Sequence, residues 1–394
     1  MTTFALANRL RLVEGSPTLA LAAKAKALAK AGKPVLDFTA GEPDFPTPDH
    51  IKQAAVEAIA AEHTKYTPVA GIPELRAAAA EAVNRRRGTR YAPSQVLIAC
   101  GTKHALYNVF QALCQPGDEV LVPSPYWVSF PPLVRLAGAT PVIVPTREQD
   151  GFLPDPDALR AAATGATKAI IVNSPSNPTG AVIDAARLAA IARLARERDL
   201  IIVSDEIYDE LVYPPAAHVS IVQAAPEAAD QTVIVGGVSK SYSMTGWRIG
   251  WAVGPQPWIE AMANVQSHST SNPASISQDA ALAALRGTQQ PVVRMREEFA
   301  RRRDQLVDGL NRLAPLRCGR PDGAFYAWCN VQGLGMPSET IAARWLEEAL
   351  IAAVPGEGFG APGYLRLSFA ASLATIDQAL ERLSDWLRQR GGAR

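Results

Sequence analysis

From residue 95 onward, short apolar runs alternate with longer segments in which apolar positions recur every three or four residues. Strand-like runs fall at 96–99, 119–122, 141–144, 168–172, 200–204, 232–235 and 251–254, with helical periodicity at 103–113 and 128–137. Apolar strands joined by amphipathic helices at this spacing predict a doubly wound α/β domain. Upstream, 19–31 reads as a helix stopped by Gly32, 35–38 as a short strand, and 49–61 as a second helix. Between them, Pro43, Pro46 and Pro48 impose an irregular loop. Pro73 suits the first turn of the next helix, which leaves Tyr66 on the loop before it. Downstream, helices are expected at 258–271, 290–313 and 338–353, and apolar segments at 324–330 and 364–369, forming a smaller α+β domain.

The residues with chemistry in them fall where the predicted strands end. Strand 232–235 runs into Gly236, Gly237 and Ser239 and then delivers Lys240, with Arg248 a few residues on and apolar residues around both. A lysine in apolar surroundings loses hydration of its charged form, so its pKa falls and part of it becomes the neutral amine that attacks carbonyls. Gly236, Gly237 and Ser239 can bring backbone and hydroxyl donors to an anion, and Arg248 can meet a phosphate in fork geometry. Lysine plus phosphate donors point to pyridoxal phosphate, although a solvated lysine beside glycines reads the same way. Gly101, Thr102 and Lys103 lie at a strand-to-helix junction, where free N–H groups and the helix dipole favour an anion. Trp127 and Asn177 sit in loops on the same carboxyl edge, where α/β folds bind ligands.

Asp205 closes strand 200–204. A carboxylate there could hold a metal, but no second carboxylate or histidine stands at ligand spacing; it could instead keep a cofactor's pyridine nitrogen protonated. Glu206 and Asp209 are expected to be solvated, as are the Arg85-Arg86-Arg87 and Arg301-Arg302-Arg303 runs on helix faces. Arg366 alternates with apolar neighbours and is expected to point away from a strand's buried face.

Bulk properties narrow the picture further. At 394 residues the chain exceeds what one hydrophobic core usually supports, so two domains are expected. A net charge of +1 leaves no electrostatic footprint for nucleic acid or an anionic membrane. Cys100, Cys114, Cys318 and Cys329 are scattered without metal or disulfide spacing, and no run approaches the length of a membrane span. The N-terminus lacks a basic start followed by a long apolar run, so a cytoplasmic protein with reduced thiols is expected.

The string Ser-Lys-Ser-Tyr-Ser-Met-Thr-Gly-Trp-Arg-Ile-Gly at 239–250 closely resembles the lysine signature of class I aminotransferases of pyridoxal-phosphate fold type I. Gly-Glu-Pro-Asp-Phe at 41–45, the Tyr66–Gly71–Leu75–Arg76 spacing and Asn-Pro-Thr-Gly at 177–180 extend the resemblance from about Ala7 to Leu387. It implies a fold type I transferase divided as 1–47 (an N-terminal segment joining the small domain), 48–290 (the large cofactor domain) and 291–394 (the small domain).

In that family Lys240 would carry pyridoxal phosphate and move the substrate's α-proton, and Asp205 would hold the pyridine nitrogen. Tyr208 and Asn177 would meet the phenolic oxygen and Trp127 would stack on the ring. Gly101, Thr102, Lys103, Ser239 and Arg248 would surround the phosphate, joined by Tyr66 from the second subunit of a homodimer with shared active sites. Arg366 would clamp the substrate α-carboxylate near Gly41. The closest subgroup is that of bacterial aspartate and prephenate aminotransferases, typified by thermophile enzymes. Ser267 stands where enteric and animal aspartate enzymes place an arginine for the distal carboxylate, so Lys103, with Ser16 and Thr18, is the expected cation site. Glu14 replaces a residue commonly basic in the subgroup, which speaks against prephenate.

The implied activity is ping-pong transfer between aspartate or glutamate and 2-oxoglutarate or oxaloacetate. Alternatives are an aminotransferase of aromatic, alanine or prephenate specificity, a carbon–sulfur β-lyase with the same cofactor residues, and a non-enzymatic effector-binding regulator. Such regulators carry an N-terminal DNA-binding domain, whereas here the enzyme-like sequence begins almost at Met1.

Overall fold

The computed structural model describes residues 7–391 apart from Glu14 and Ser16. The expectations for Glu14, Ser16 and the side chain of Thr18 lie outside the described residues. Helix α1 (Pro17–Lys30) leads to strand β1 (Leu36–Asp37), and the proline-rich stretch that follows forms no regular element before α2 (Asp49–Ala60). Helix α3 (Pro73–Arg87) opens on its proline, where a missing N–H leaves no hydrogen bond unmade. The chain then builds a sheet from β2 (Val96–Ala99), β3 (Glu119–Ser124), β4 (Thr140–Pro145), β5 (Thr167–Asn173), β6 (Ile201–Asp205), β7 (Thr232–Gly237) and β8 (Gly250–Val253). Helix α4 (Thr102–Leu113) follows β2 directly.

The strand order is β2-β8-β7-β6-β5-β3-β4. Every pairing is parallel except those of β8 with β2 and β7. The middle stretches of the central strands are apolar because both faces are covered there. Ala169, Ile171, Val203, Val233 and Val235 pack into one core, and Ile170, Val172, Ile202 and Ile234 into another on the opposite face. Truncating one of these isoleucines to alanine removes a buried group, typically a loss of about 2–5 kcal/mol. The register pairs Asn173 with Asp205 and Asp205 with Val235, so the ends of β5, β6 and β7 lie level along one edge.

A second body is built on β9 (Arg317–Cys318), β10 (Tyr326–Asn330), β11 (Ile351–Ala352), β12 (Val354–Pro355) and β13 (Tyr364–Ser368). Four of them form an antiparallel sheet in the order β12-β13-β10-β9, while β11 pairs in parallel with β1. The helix Gln290–Asn311 and the helix Leu373–Gly391 cover this body, and Phe38, from the N-terminal segment, is buried in its core.

Several expectations need correction. The helix expected at 338–353 runs as an α-helix over Ser338–Arg344 and a π turn over Trp345–Ala349. Leu350 then takes a left-handed conformation (φ +56°), and Ile351 and Ala352 become a strand because β1, far away in sequence, supplies their partner. The helix expected to reach 271 stops at Ser267; the amides of Ser269, Thr270 and Ser271 all turn back to the Gln266 carbonyl.

The arginine runs are not simply solvated faces either. Successive helical residues are about 100° apart, so three in a row cannot share one exposed face. Arg87 is buried against Glu206, itself buried, and against Asp209, which is half-buried, so neither carboxylate is simply solvated. Arg302 is held by Asp44 (2.7 Å) and Glu298 (3.0 Å) over the ring of Phe45, and Arg303 lies over Tyr213. Arg366, too, is buried, because β13 is covered on both faces.

Candidate active site

The level ends of β5, β6 and β7, the β2–α4 junction and the second body enclose a cavity of about 310 Å³. Gly41, Thr102, Lys103, Trp127, Asn177, Asp205, Tyr208, Ser239, Lys240, Arg248 and Arg366 all line it. Gly101 stands just behind. Tyr66 does not reach the cavity of its own chain and is 91% exposed. A larger depression of about 690 Å³, among Arg9, Arg11 and Arg135, is an open surface basin that gathers none of these residues.

Lys240 leaves the end of β7 and donates from Nζ to the Gly41 carbonyl (2.5 Å). Burial lowers its pKa to about 8, with the charges of Arg366 and Arg248 acting in the same direction and those of Glu42 and Asp205 opposing. About one molecule in ten then holds a neutral amine at pH 7, against a few in ten thousand for an ordinary lysine. Asp205, on β6, is pushed up to about 7, chiefly by burial and further by Glu206, while the Ile207 amide and Lys240 pull the other way. Among the described residues its carboxylate accepts one hydrogen bond, from Ile207 N at 3.2 Å. A buried carboxylate so sparsely bonded is suited to a cation brought in from outside the chain.

Arg366 projects from β13 between the rings of Tyr326 (4.3 Å) and Phe359 (5.1 Å). Nη1 donates to Asn177 Oδ1 (3.0 Å) and Nη2 to the Thr39 carbonyl (2.9 Å), while the buried Nε has no partner. Burial lowers its pKa. Arg248 adopts a left-handed backbone (φ +57°) that turns its guanidinium toward Gly101; it donates from Nη1 to Thr245 O (2.8 Å). Lys103, in the first turn of α4, places Nζ 4.9 Å from the ring centre of Trp127, and its pKa is lowered by burial and by Arg248. Among the described residues none of these three cations pairs with a carboxylate. One buried guanidinium, that of Arg366, and two cations that open on the cavity, Lys103 and Arg248, all without counter-charges among the described residues, make it a receptor for anions.

The glycines give this receptor its shape. A Cβ at Gly101 would collide with the Arg248 guanidinium, one at Gly250 with the Thr102 amide, and one at Gly237 would lie 2.9 Å from Thr102 Oγ1. Side chains there would therefore displace the N-terminus of α4 from Arg248 and Ser239. Helix N–H groups, a buried hydroxyl and an unpaired guanidinium together fit a phosphate. Lys240 fits a carbonyl carbon and Asp205 a protonated ring nitrogen, so the residues present match phosphate, aldehyde and pyridine in a single ligand.

Two contributions were missed from sequence. Tyr326 OH lies 2.8 Å from Tyr208 OH, and burial raises the pKa of both phenols. Asn173 caps the site from β5, donating Nδ2 to the Asp205 carbonyl (3.1 Å) and accepting the Asn177 amide on Oδ1 (3.0 Å). The second was within reach of the sequence, since Asn173 ends a predicted strand. Nothing local marked Tyr326, which meets Tyr208 only through tertiary packing. Among the described residues no cluster of His, Cys, Asp and Glu offers a metal site, all four cysteines are free, and no helix is long and apolar enough to cross a membrane.

A family model for aminotransferases of class I and II matches residues 33–383. The chain is 48% identical over 391 residues to an aspartate aminotransferase of Geobacillus stearothermophilus, covering 98% of this chain and 99% of that one. It is 48% identical over 382 residues to an aspartate/prephenate aminotransferase of Thermus thermophilus, covering 96% and 98%. The solved structure of Thermus thermophilus aspartate aminotransferase with maleate superposes with a TM-score of 0.93 at 46% identity, over 97% of this chain and 100% of that one. With the amine, the carboxylate and the phosphate-shaped cradle already gathered in one cavity, these likenesses over nearly the whole length show that the chain belongs to the class I and II aminotransferases, enzymes that work with pyridoxal phosphate.

Proposed function

We propose that the protein transfers the amino group of aspartate or glutamate to 2-oxoglutarate or oxaloacetate by a ping-pong mechanism, as a cytoplasmic homodimer with shared active sites. The observation that carries this reading is the trio of cations without counter-ions, Arg248, Arg366 and Lys103, in one cavity. A phosphate, an α-carboxylate and a distal carboxylate would occupy them in turn. Pyridoxal phosphate, when bound, supplies an electron sink for the α-carbon.

The chain's own residues would do the rest. Thr102, Ser239 and Arg248 would hold the phosphate, Trp127 the ring face, Asn177 and Tyr208 the phenolic oxygen, and Asp205 a proton on the pyridine nitrogen. Arg366 would bind the α-carboxylate, its free Nε and aromatic walls fixing the fork. Lys240, released as an amine with a lowered pKa, would take the α-proton and return it on the other side of the transfer. The same division of labour supports a large domain over 48–290, a small one over 291–394, and a segment 1–47 joined to the small one through β1 and Phe38.

Lys103 is the specificity residue in this reading, in agreement with the dicarboxylate maleate that accompanies the Thermus enzyme in its solved structure. Replacing a charge-assisted contact costs about 1.5–3 kcal/mol, so Lys103→Ala should lower kcat/KM for aspartate about 10–100-fold and for alanine about threefold or less. An equal loss with both donors would show that Lys103 does not read the distal carboxylate. Release of pyruvate and ammonia without an added 2-oxo acid would instead favour a β-lyase.

The shared site rests on Tyr66, which is exposed together with Val56 and Ile59 of α2, a tyrosine and two apolar residues open to a second copy. Tyr66→Phe and Lys240→Ala proteins, each impaired alone, should regain activity when their subunits exchange, because one mixed site then receives both intact residues. Demonstrated exchange without recovery, given a strongly impaired Tyr66→Phe parent, would remove the support for shared sites.

A further inference from the structure

Asp205 and Glu206 are neighbours at the end of β6, yet Asp205 lines the cavity and Glu206 does not. The buried Glu206 carboxylate is fully engaged. Oε1 accepts from Ser204 Oγ (2.8 Å) and Ser220 Oγ (2.6 Å), and Oε2 from Arg87 Nε (2.6 Å), with His218 Nε2 at 3.1 Å. Arg87, also buried, extends Nη2 to Asp209 Oδ2 (2.9 Å). Arg86 adds contacts to Asp209 (3.3 Å), Glu210 (2.6 Å) and the hydroxyl of Tyr242 (3.4 Å). The Glu206 amide in turn donates to the Val235 carbonyl (2.9 Å), continuing the β6–β7 ladder by one more bond.

These contacts tie three pieces of chain together. The last turn of α3 supplies both arginines, the segment after β6 supplies Glu206 and Asp209, and Tyr242 lies two residues beyond Lys240. Asp205 and Tyr208 alternate with the clamped residues, so the direction of each is set by the grip on its neighbours. A buried ion pair seldom stabilises more than apolar packing of equal volume, and its retention is better explained by geometry than by stability.

We propose that the Arg87–Glu206–Asp209 cluster is a positioning element for catalysis, holding the turn that presents Asp205 and Tyr208 to the cofactor and keeping a fixed negative charge beside Asp205. The charge has a definite sign of effect: Glu206 makes the Asp205 carboxylate more basic and so favours a protonated partner. Arg87 faces Glu206 with the opposite sign and Arg86 faces Asp209 and Glu210, so the field beyond the cluster is offset.

The inference rests on Asp205 as the partner of the pyridine nitrogen, and three variants of the full-length enzyme separate the possibilities. Glu206→Gln removes the charge and unbalances Arg87; Ser220→Ala keeps the charge and removes one of its bonds; Asp205→Asn tests the underlying placement. Pyridoxal-phosphate affinity is read by fluorescence titration, and the pH midpoint of the bound cofactor by its visible absorption.

Glu206→Gln should weaken cofactor binding about tenfold, lower kcat about tenfold with KM changed about twofold or less, and move the pH midpoint down by about half a unit, because a negative charge has gone. Ser220→Ala should weaken binding by a smaller factor with no shift in midpoint. A lowered melting temperature with unchanged affinity, kcat and midpoint in Glu206→Gln would make the cluster structural only. If that protein does not fold, unchanged affinity and kcat in Ser220→Ala would overturn the positioning role in the same way. Unchanged affinity and midpoint in Asp205→Asn would instead overturn the placement of Asp205 itself.

Discussion

Lys240→Ala is expected to lower turnover by about 10⁴-fold or more while pyridoxal phosphate still binds through its phosphate. The loss is large because one amine serves two purposes, and nothing else lining the cavity replaces it. Lys103 holds its Nζ over the Trp127 ring with the Arg248 charge nearby, and the guanidinium of Arg366 cannot give up a proton at any working pH. In the proposed arrangement Asp205 is committed to the ring nitrogen. Lys240→Arg should therefore fail nearly as completely, although it keeps charge and length, because only a group with a pKa near neutrality can both take and return the α-proton.

The measurement is the visible spectrum of the purified protein beside its single-turnover rate with aspartate. Loss of the lysine should change the absorption of the bound cofactor, and small primary amines added to the buffer should restore a part of the lost rate by standing in for Nζ. A spectrum unchanged from that of the parent, with full transaminase turnover, would show that Lys240 neither carries the cofactor nor moves the proton.

The edge that lines the cavity was legible in sequence because it is built by strand ends. Asn177, Asp205 and Lys240 each follow a run whose apolar character is dictated by two covered faces, so their alignment follows from the sheet itself. Gly101 and Gly237 were readable for a related reason, since close backbone approach around the start of α4 leaves no room for a Cβ; Gly250, pressed against the Thr102 amide, stood in the sequence only as part of the lysine signature. What sequence did not disclose was the environment of charges. Glu206 and Asp209 read as solvated because charged residues usually are, and only the fold brings Arg87, more than a hundred residues earlier, into contact with them. Tyr326 was missed likewise, since its partner Tyr208 lies in the other body of the protein. Short strands such as β11, which pairs with β1 at the far end of the chain, are lost to any reading by local periodicity.

Asp205→Asn is expected to cut kcat by about 10³-fold or more and, in protein freed of cofactor, to raise stability at pH 8. The catalytic loss follows from the amide's inability to hold a proton on the pyridine nitrogen, so the electron sink is no longer favoured. The stability gain follows from the position of the carboxylate. Its pKa rises from the ordinary 3.8 to about 7 in the folded protein, mainly through burial. Between those values the folded state binds a proton that the unfolded chain has released, so stability is greatest at low pH and falls as pH rises through the window from about 4 to about 7. Above it the whole cost of burying the charge is present, at most about 4 kcal/mol for a shift of roughly three units. Asparagine carries no such cost. Melting curves of cofactor-free wild-type and Asp205→Asn proteins should therefore converge near pH 4 and separate in favour of the variant by pH 8. Adding pyridoxal phosphate should reverse the order, because the wild-type carboxylate then gains its cation and the variant does not. Coincident melting at pH 8 without cofactor would mean that Asp205 is not held as a strained, buried charge, and no change in order on adding the cofactor would mean that it is not the ring-nitrogen partner.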